Sequence, residues 1–190
     1  MNINCNGTLI DMSSPKIMGI LNITPNSFFD GGKFNRLDAA LAQTEKMLSE
    51  GATFIDVGGA SSKPGVDEIS DDEELLRVLP VIEKIAATFT EAIISIDTFR
   101  SNVAQKAVEA GAQIVNDISA GNMDNNMLKT VGALGIPYIA MHMQGTPQNM
   151  QNNPSYDDVL TTVRSFFSAK IVEAHAAGIH DIILDPGFGF

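Results

Sequence analysis

The chain has 190 residues, 44% hydrophobic and 18% charged, a balance and length that suit one globular domain with a substantial core. No apolar run approaches the roughly 18 residues of a membrane span, the opening MNINCNGTLIDM lacks a basic start and an apolar signal core, and the single cysteine, Cys5, excludes an internal disulfide framework, so the expected compartment is the cytoplasm. A net charge of −11 with no basic stripe argues against a nucleic-acid partner, and an anionic substrate would need a metal ion, helix N-termini or a few placed cations against that field.

Residues 2 to 12 read as a β-hairpin, with Asn6-Gly7 as a type I′ turn between short alternating arms. The apolar run Ile17 to Leu21 reads as a buried strand that stops on Asn22 and opens into the polar, Pro- and Gly-containing stretch TPNSFFDGG. Leu37, Ala40, Leu41, Met47 and Leu48 form a helical stripe, with Asn35 as N-cap and Gly51 as the C′ residue. Ala52 to Val57 is a strand with Asp56 near its end, followed by the loop GGASSKPG. Ser70-Asp71-Asp72-Glu73 has capping-box spacing and opens a helix through Leu75, Leu76, Leu79, Ile82, Ile85 and Ala86, within which Pro80 should bend the helix or mark a second start.

Ala92 to Ile96 is the next strand, closed by Asp97 and Thr98, and a short helix follows from Asn102 to Ala110. Gln113 to Val115 is a strand closed by Asn116 and Asp117, and a helix covers Asn125 to Leu134. Pro137 to Met141 is a strand leading to His142. A longer helix through Tyr156, Val159, Leu160, Val163, Phe167, Ile171 and Ala174 stops at Gly178, before a last strand, Ile182 to Leu184, closed by Asp185 and Pro186.

Helices end on Gly51, Gly111, Gly135 and Gly178, each followed directly by an apolar strand. Continuous apolar strands alternating with helices imply a parallel sheet with right-handed crossovers. A doubly wound sheet stays open as an alternative, although no GxGxxG follows the first strand. A (β/α)₈ TIM barrel typically takes ~250 residues. Six such strands in 190 residues, ending inside the Gly-rich stretch DPGFGF, predict an α/β TIM barrel that is incomplete here, one domain over 1–190.

Polar residues gather where these strands finish: Asn22, Asp56, Asp97, Asn116 and Asp185, with His142 just past Met141. In a barrel those ends converge on one face, where barrel enzymes do their chemistry. Each alone reads as a side chain satisfying a strand-to-loop turn, and Asp56 before Gly58-Gly59 fits that best. Together they suit a ligand with a flat array of N–H donors, which carboxylates pair as they would an Arg fork; an aminopyrimidinone ring has such an edge. The rival is a metal site, where hard oxygen ligands suit Mg²⁺ better than zinc. The three histidines have no metal spacing, and His175 and His180 read as surface residues.

MGILNITPNSFFDGGKF, DVGGASSKPG, SIDTFRSNVAQKAVEAGAQIVNDISAG, MHMQGTPQNMQ and DIILDPGFGF, in this order, resemble the dihydropteroate synthases across nearly the whole chain. The resemblance implies a (β/α)₈ barrel that joins 6-hydroxymethyl-7,8-dihydropterin pyrophosphate to p-aminobenzoate and releases pyrophosphate, the step of folate synthesis that sulfonamides block. It implies that Asn22 ligates Mg²⁺ near the pyrophosphate and that Asp97, Asn116 and Asp185 hold the pterin, with Ile118 and Met141 as apolar walls. Phe28, Ser62, Lys63 and Pro64 would fall in two mobile loops around p-aminobenzoate, bordered by Phe190, with Asp30 as the first loop's acid. Asn22 and Asp97 would carry the chemistry, a dissociative substitution in which Asp97 stabilises the ring cation.

The second loop reads Ser61-Ser62-Lys63-Pro64-Gly65 where the family more often has S-T-R-P-G, and Asn26 stands where it has Asp; lysine keeps the charge and loses the guanidinium fork. The family's lysine after its sixth and seventh strands, its Ser-Arg-Lys segment, its Arg-x-His motif and the helices of its homodimer interface would lie past Phe190. The 190-residue chain by itself is therefore expected to be inactive or nearly so. A non-catalytic pterin-binding module, a corrinoid-linked pterin methyltransferase barrel and a phosphate-binding aldolase barrel are the alternative readings; the last would want a lysine on a strand, and none of the predicted strands carries one in its interior.

Overall fold

A computed structural model describes residues 1–23, 32–60, 69–147, 149–151 and 153–188, with backbone alone over 32–36. The chain opens with the expected hairpin, β1 (Asn2–Cys5) paired antiparallel with β2 (Thr8–Asp11). Asn6 (φ 50°) and Gly7 (φ 91°) both adopt the left-handed conformation that a type I′ turn demands. Six parallel strands follow in chain order across one sheet: β3 (Met18–Asn22), β4 (Phe54–Gly58), β5 (Ile93–Asp97), β6 (Ile114–Asp117), β7 (Tyr138–Met141) and β8 (Ile182–Asp185). Helices α1 (Gly32–Ser49), α2 (Asp71–Thr88), α3 (Ser101–Glu109), α4 (Met127–Leu134) and α5 (Val159–Ala176) connect them. This is the incomplete barrel that the alternating pattern predicts, with β3 and β8 at its two edges.

The period-two alternation of each strand divides the molecule into two apolar layers. Leu21, Ile55, Val57, Ile94, Ile96, Val115, Tyr138 and Ala140 face the helices and join Val78, Ile82, Ile85, Val103, Met127 and Val131 in the larger core. On the interior face, Phe54, Ile93, Ile114 and Ile139 pack against Ile3 and Cys5 of the hairpin. The hairpin thus floors the barrel at the N-terminal ends of the strands. It is tied there by Asn4 N donating to Asp181 Oδ2 at 2.8 Å and Gln113 Nε2 donating to Cys5 O at 3.3 Å. Burial, with Asp181 adding its charge, pushes the Cys5 thiol up to about 11, so Cys5 behaves as a small core residue.

Three local expectations are corrected, and of the two offered at Pro80 the second start is removed. Asn35 lies inside α1, which already runs from Gly32, so it is not an N-cap. Helix α2 continues through Pro80 without a second start; Pro80 and Leu76 are on the solvent side, Leu76 being 72% exposed, so the carbonyl freed by the missing proline N–H is open to water. Leu76 is accordingly outside the core. Tyr156 precedes α5, whose N-cap is Asp158, and Val159 and Leu160 in its first turn are exposed. The Ser70 cap holds as read, its hydroxyl accepting from Glu73 N at 3.2 Å, while the Glu73 carboxylate turns to Arg77 and not back to the cap.

Candidate active site

Each of the six parallel strands except β7 ends on a polar residue or glycine that belongs to the sheet itself, one or more residues past the apolar runs. Parallel pairing aligns Asn22 with Gly58, Gly58 with Asp97, and Asp97 with Asn116. Residues in register across parallel strands point to the same face, so three polar side chains stand in one row, interrupted by a glycine. The gap has a purpose in geometry. A Cβ on Gly58 would meet Asp97 Oδ2 at 3.1 Å and Asn22 Oδ1 at 3.4 Å, so the two oxygens lean over the same bare backbone. Next along the sheet, Met141 at the end of β7 is in register with Asp185. Ile118 and Met141 are both buried and belong to neither core cluster, which leaves them as walls at the upper end of the strands.

The row is rich in acceptors. Asp97 has no hydrogen-bond donor among the described residues. Burial, then the charges of Asp56, Glu74 and Asp117, push its pKa well above the carboxylate range. Asp185 spends one oxygen on Gly187 N at 2.8 Å, closing the tight turn after β8. That turn needs glycine: Gly187 has φ +71°, and a Cβ there would collide with the backbone oxygen of His142. His142 itself is not part of the row. Its ring packs against Tyr156, Phe166 and Phe167, with centroids 5.0 Å apart at Phe166, and burial lowers its pKa, so it serves as a packing residue.

Asp56, Asp117, Glu74, Arg77 and Arg100 carry parts of the site that the linear sequence leaves unassigned. Asp56 is inside the sheet rather than in the turn, and its Oδ2 accepts from Asn116 Nδ2 at 3.0 Å across β5. Asp117 faces the helices, where it accepts from Tyr138 Oη (2.7 Å), Ser119 Oγ (2.7 Å), Ser119 N (2.8 Å) and Gly121 N (2.8 Å). This acid moulds the turn that carries Ile118, including the buried Ala120 at φ 50°. Arg77 Nη1 donates to Gly59 O at 2.8 Å, and Arg100 Nη2 donates to Ile69 O at 2.7 Å. The two guanidinium groups therefore grip the chain on either side of residues 61–68. Arg100 also pairs with Asp71 at 3.0 Å and with the fully buried Glu74. One signal in the sequence points to this: Glu74 falls on the same helical face as Val78, Ile82 and Ile85, where a carboxylate must find a cation.

Asn22 is exposed at the end of β3, and Phe28, Asp30, Ser62, Lys63, Pro64 and Phe190 lie outside the described residues. No group of three or more His, Cys, Asp or Glu side chains converges among the described residues. The oxygen donors over Gly58 fit a hard dication held by few protein ligands and completed by phosphate or water oxygens, the usual arrangement for Mg²⁺. No helix among the described residues is long and apolar enough to cross a membrane.

Residues 18–190 match the model of the pterin binding enzyme family. The chain is 45% identical to the dihydropteroate synthase of Escherichia coli K12 over 192 aligned residues, covering 100% of the chain and 67% of that protein. It is 48% identical to the mitochondrial folate synthesis bifunctional protein of Arabidopsis thaliana, covering 92% of the chain and 32% of that protein, so it spans about a third of that longer relative. Among solved structures, the Yersinia pestis dihydropteroate synthase in complex with a sulfonamide drug superposes with a TM-score of 0.91 at 46% identity, over 100% of the chain and 69% of its own length. The Xanthomonas albilineans dihydropteroate synthase with 4-aminobenzoic acid does so at 0.90 and 40% identity, over 100% and 67%. With its parallel strands ending on one acceptor-lined row, this chain belongs to the pterin-binding enzyme family.

Proposed function

We propose that the protein carrying this chain is a dihydropteroate synthase, which replaces the pyrophosphate of 6-hydroxymethyl-7,8-dihydropterin pyrophosphate by the amine of p-aminobenzoate. The observation that carries the reading is Asp97: a carboxylate at the end of a central strand, in register with Gly58 and Asn116, with no donor of its own among the described residues. A pterin edge supplies the N–H groups that Asp97, Asn116 and Asp185 lack, between the apolar walls of Ile118 and Met141. When the carbon–oxygen bond to pyrophosphate breaks, positive charge develops on the ring, and Asp97 already stands where it is needed. Burial and the charges of neighbouring acids raise its pKa, and a cationic ring would satisfy its ionised form best, which is differential binding of the kind that accelerates a reaction. Asn22 Oδ1 would hold Mg²⁺, which when bound takes up negative charge on the departing pyrophosphate. No side chain needs to act as nucleophile, because the arylamine of p-aminobenzoate attacks the exocyclic carbon directly.

The test is calorimetric binding of the pterin pyrophosphate with Mg²⁺, together with pyrophosphate release on adding p-aminobenzoate. Binding that weakens about ten- to a hundred-fold in Asp97→Asn is expected, the size of a lost hydrogen bond to a charged group. Unchanged affinity in that variant would sink the reading. Turnover by the 190-residue chain alone is expected to fall far below that of the longer relatives; binding without turnover even in the full reading frame would point to a non-catalytic pterin module.

A further inference from the structure

Asp56 is 2% exposed and lies on the interior face of β4, one layer below the bare position of Gly58. An acid serving the Gly58-Gly59 turn would accept from turn N–H groups. Among the described residues, its hydrogen bond runs instead to Asn116 Nδ2 on β6, at 3.0 Å. Its other oxygen, Oδ1, is buried without a well-formed hydrogen bond among the described residues; the hydroxyl of Ser95, the residue paired with Asp56 in the β4–β5 register, faces the carboxylate and favours its ionised form without offsetting the burial. A buried carboxylate kept so incompletely satisfied is costly to the fold. The molecule retains it at the one place where it reaches a residue of the acceptor row.

Asn116 is a carboxamide, whose two ends differ in chemistry but hardly in shape. Free to turn, it would offer a ligand either an acceptor or a donor at nearly the same point. In its ionised form the carboxylate of Asp56 accepts only, so it draws the Nδ2 end toward itself and leaves Oδ1 at a defined place beside the remaining N–H. We propose that Asp56 is a positioning and specificity-determining residue, which fixes the order of acceptor and donor that Asn116 presents to the ring. This rests on the pterin reading of the row. The matched ligand is a 2-amino-4-oxo ring, whose bare ring nitrogen beside the 2-amino group sets an acceptor next to a donor in the complementary order. A 2,4-dioxo ring of the same shape carries N–H where the amino-oxo ring has a bare nitrogen, and oxygen where that ring has NH₂, so it meets like against like. A site built to hydrogen-bond one pattern rejects the reversed one strongly, because buried groups are then left unpaired.

The experiment measures affinities of 6-hydroxymethyl-7,8-dihydropterin and its 2,4-dioxo counterpart for the unsubstituted chain and for Asp56→Asn, by calorimetry. A carboxamide in place of the carboxylate can accept or donate, so the variant releases Asn116 to turn. The preference for the amino-oxo ring is expected to shrink about tenfold in the variant, most of the change coming from weaker binding of that ring. An unchanged preference, or an equal loss for both rings with a lowered Tm, overturns the proposal while leaving the pterin reading intact. Binding of neither ring by the unsubstituted chain overturns that reading, and the ligand role of Asp56 with it. Should Asp56→Asn not fold, the Asn116 side-chain amide is followed by NMR in the unsubstituted chain labelled with ¹⁵N-asparagine. One slowly exchanging Nδ2 proton, held by Asp56, is expected to persist when the dihydropterin is added while the other Nδ2 proton shifts; rapid exchange of both, or loss of the slow proton on binding, overturns the proposal.

Discussion

Asp97 and Gly58 show how much chemistry rests on two adjacent positions of one register row. In the proposed function ligand N–H groups would bind the ionised form of Asp97, whose pKa burial and neighbouring carboxylates raise. Pterin affinity is therefore expected to fall as the pH is lowered through that raised value, and the dependence to vanish in Asp97→Asn; titration calorimetry at several pH values checks both. Gly58→Ala puts a methyl group 3.1 Å from Asp97 Oδ2 and 3.4 Å from Asn22 Oδ1. It should weaken Mg²⁺-dependent pyrophosphate binding by about tenfold, on the scale of one displaced polar contact, with little change in Tm. Equal binding in Gly58→Ala would mean that the two oxygens do not act on a common ligand. Residues of this kind are legible as types: Asn22, Asp97, Asn116 and Asp185 stand out because polar groups interrupt apolar strands. Asp56 is not, because a strand-end acid before two glycines looks the same whether it serves a turn or orients a neighbour on another strand.

Among the elements, α2 and the segment after β5 are coupled by the Glu74–Arg100 pair, with Asp71 and the Ile69 carbonyl on the same guanidinium. Burial raises the Glu74 pKa despite the adjacent arginine, so desolvation outweighs the attraction, as is common for buried pairs. Arg100→Met strands the Glu74 carboxylate and is expected to cost about 3–5 kcal/mol in urea unfolding. Arg100→Met with Glu74→Leu should recover most of that loss, because no uncompensated charge remains. A second close contact sets α4 against α5: a Cβ on Gly132 would overlap the carbonyl of Ala177, so Gly132→Ala should also destabilise, by separating the helix ends. Element existence and order follow from periodicity and from helix-ending glycines such as Gly135, at φ 66°. The missed boundaries have local causes. Pro80 is harmless where its i−4 carbonyl faces water, and α1 begins before its apolar stripe does, since a first turn without apolar periodicity leaves no trace in the pattern.

At the scale of the molecule, Asp56, Glu74, Asp97 and Asp117 all have raised pKa values, burial being the largest cause in each. The folded state then binds more protons than the unfolded one at pH values above the ordinary carboxylate range. Stability should be greatest at mildly acidic pH and decline as the pH rises through these raised values, the reverse of the salt-bridged case. Thermal unfolding between about pH 7 and 8, above the range where His142 with its lowered pKa adds the opposite slope, checks the sign; a Tm that rises with pH there would show that these acids are ionised at little cost. The parallel barrel architecture, the hairpin, the helix ends and most of the acceptor row are determined by the sequence alone, because alternation, turn chemistry and apolar strand runs act over a few residues. Which strand ends share a row, that a glycine leaves Asn22 and Asp97 facing one space, and that Asp56 reaches Asn116 were decided only by tertiary structure. Register between strands some 20 to 40 positions apart aligns those groups, and no local pattern encodes which residue of one strand lies beside which residue of the next.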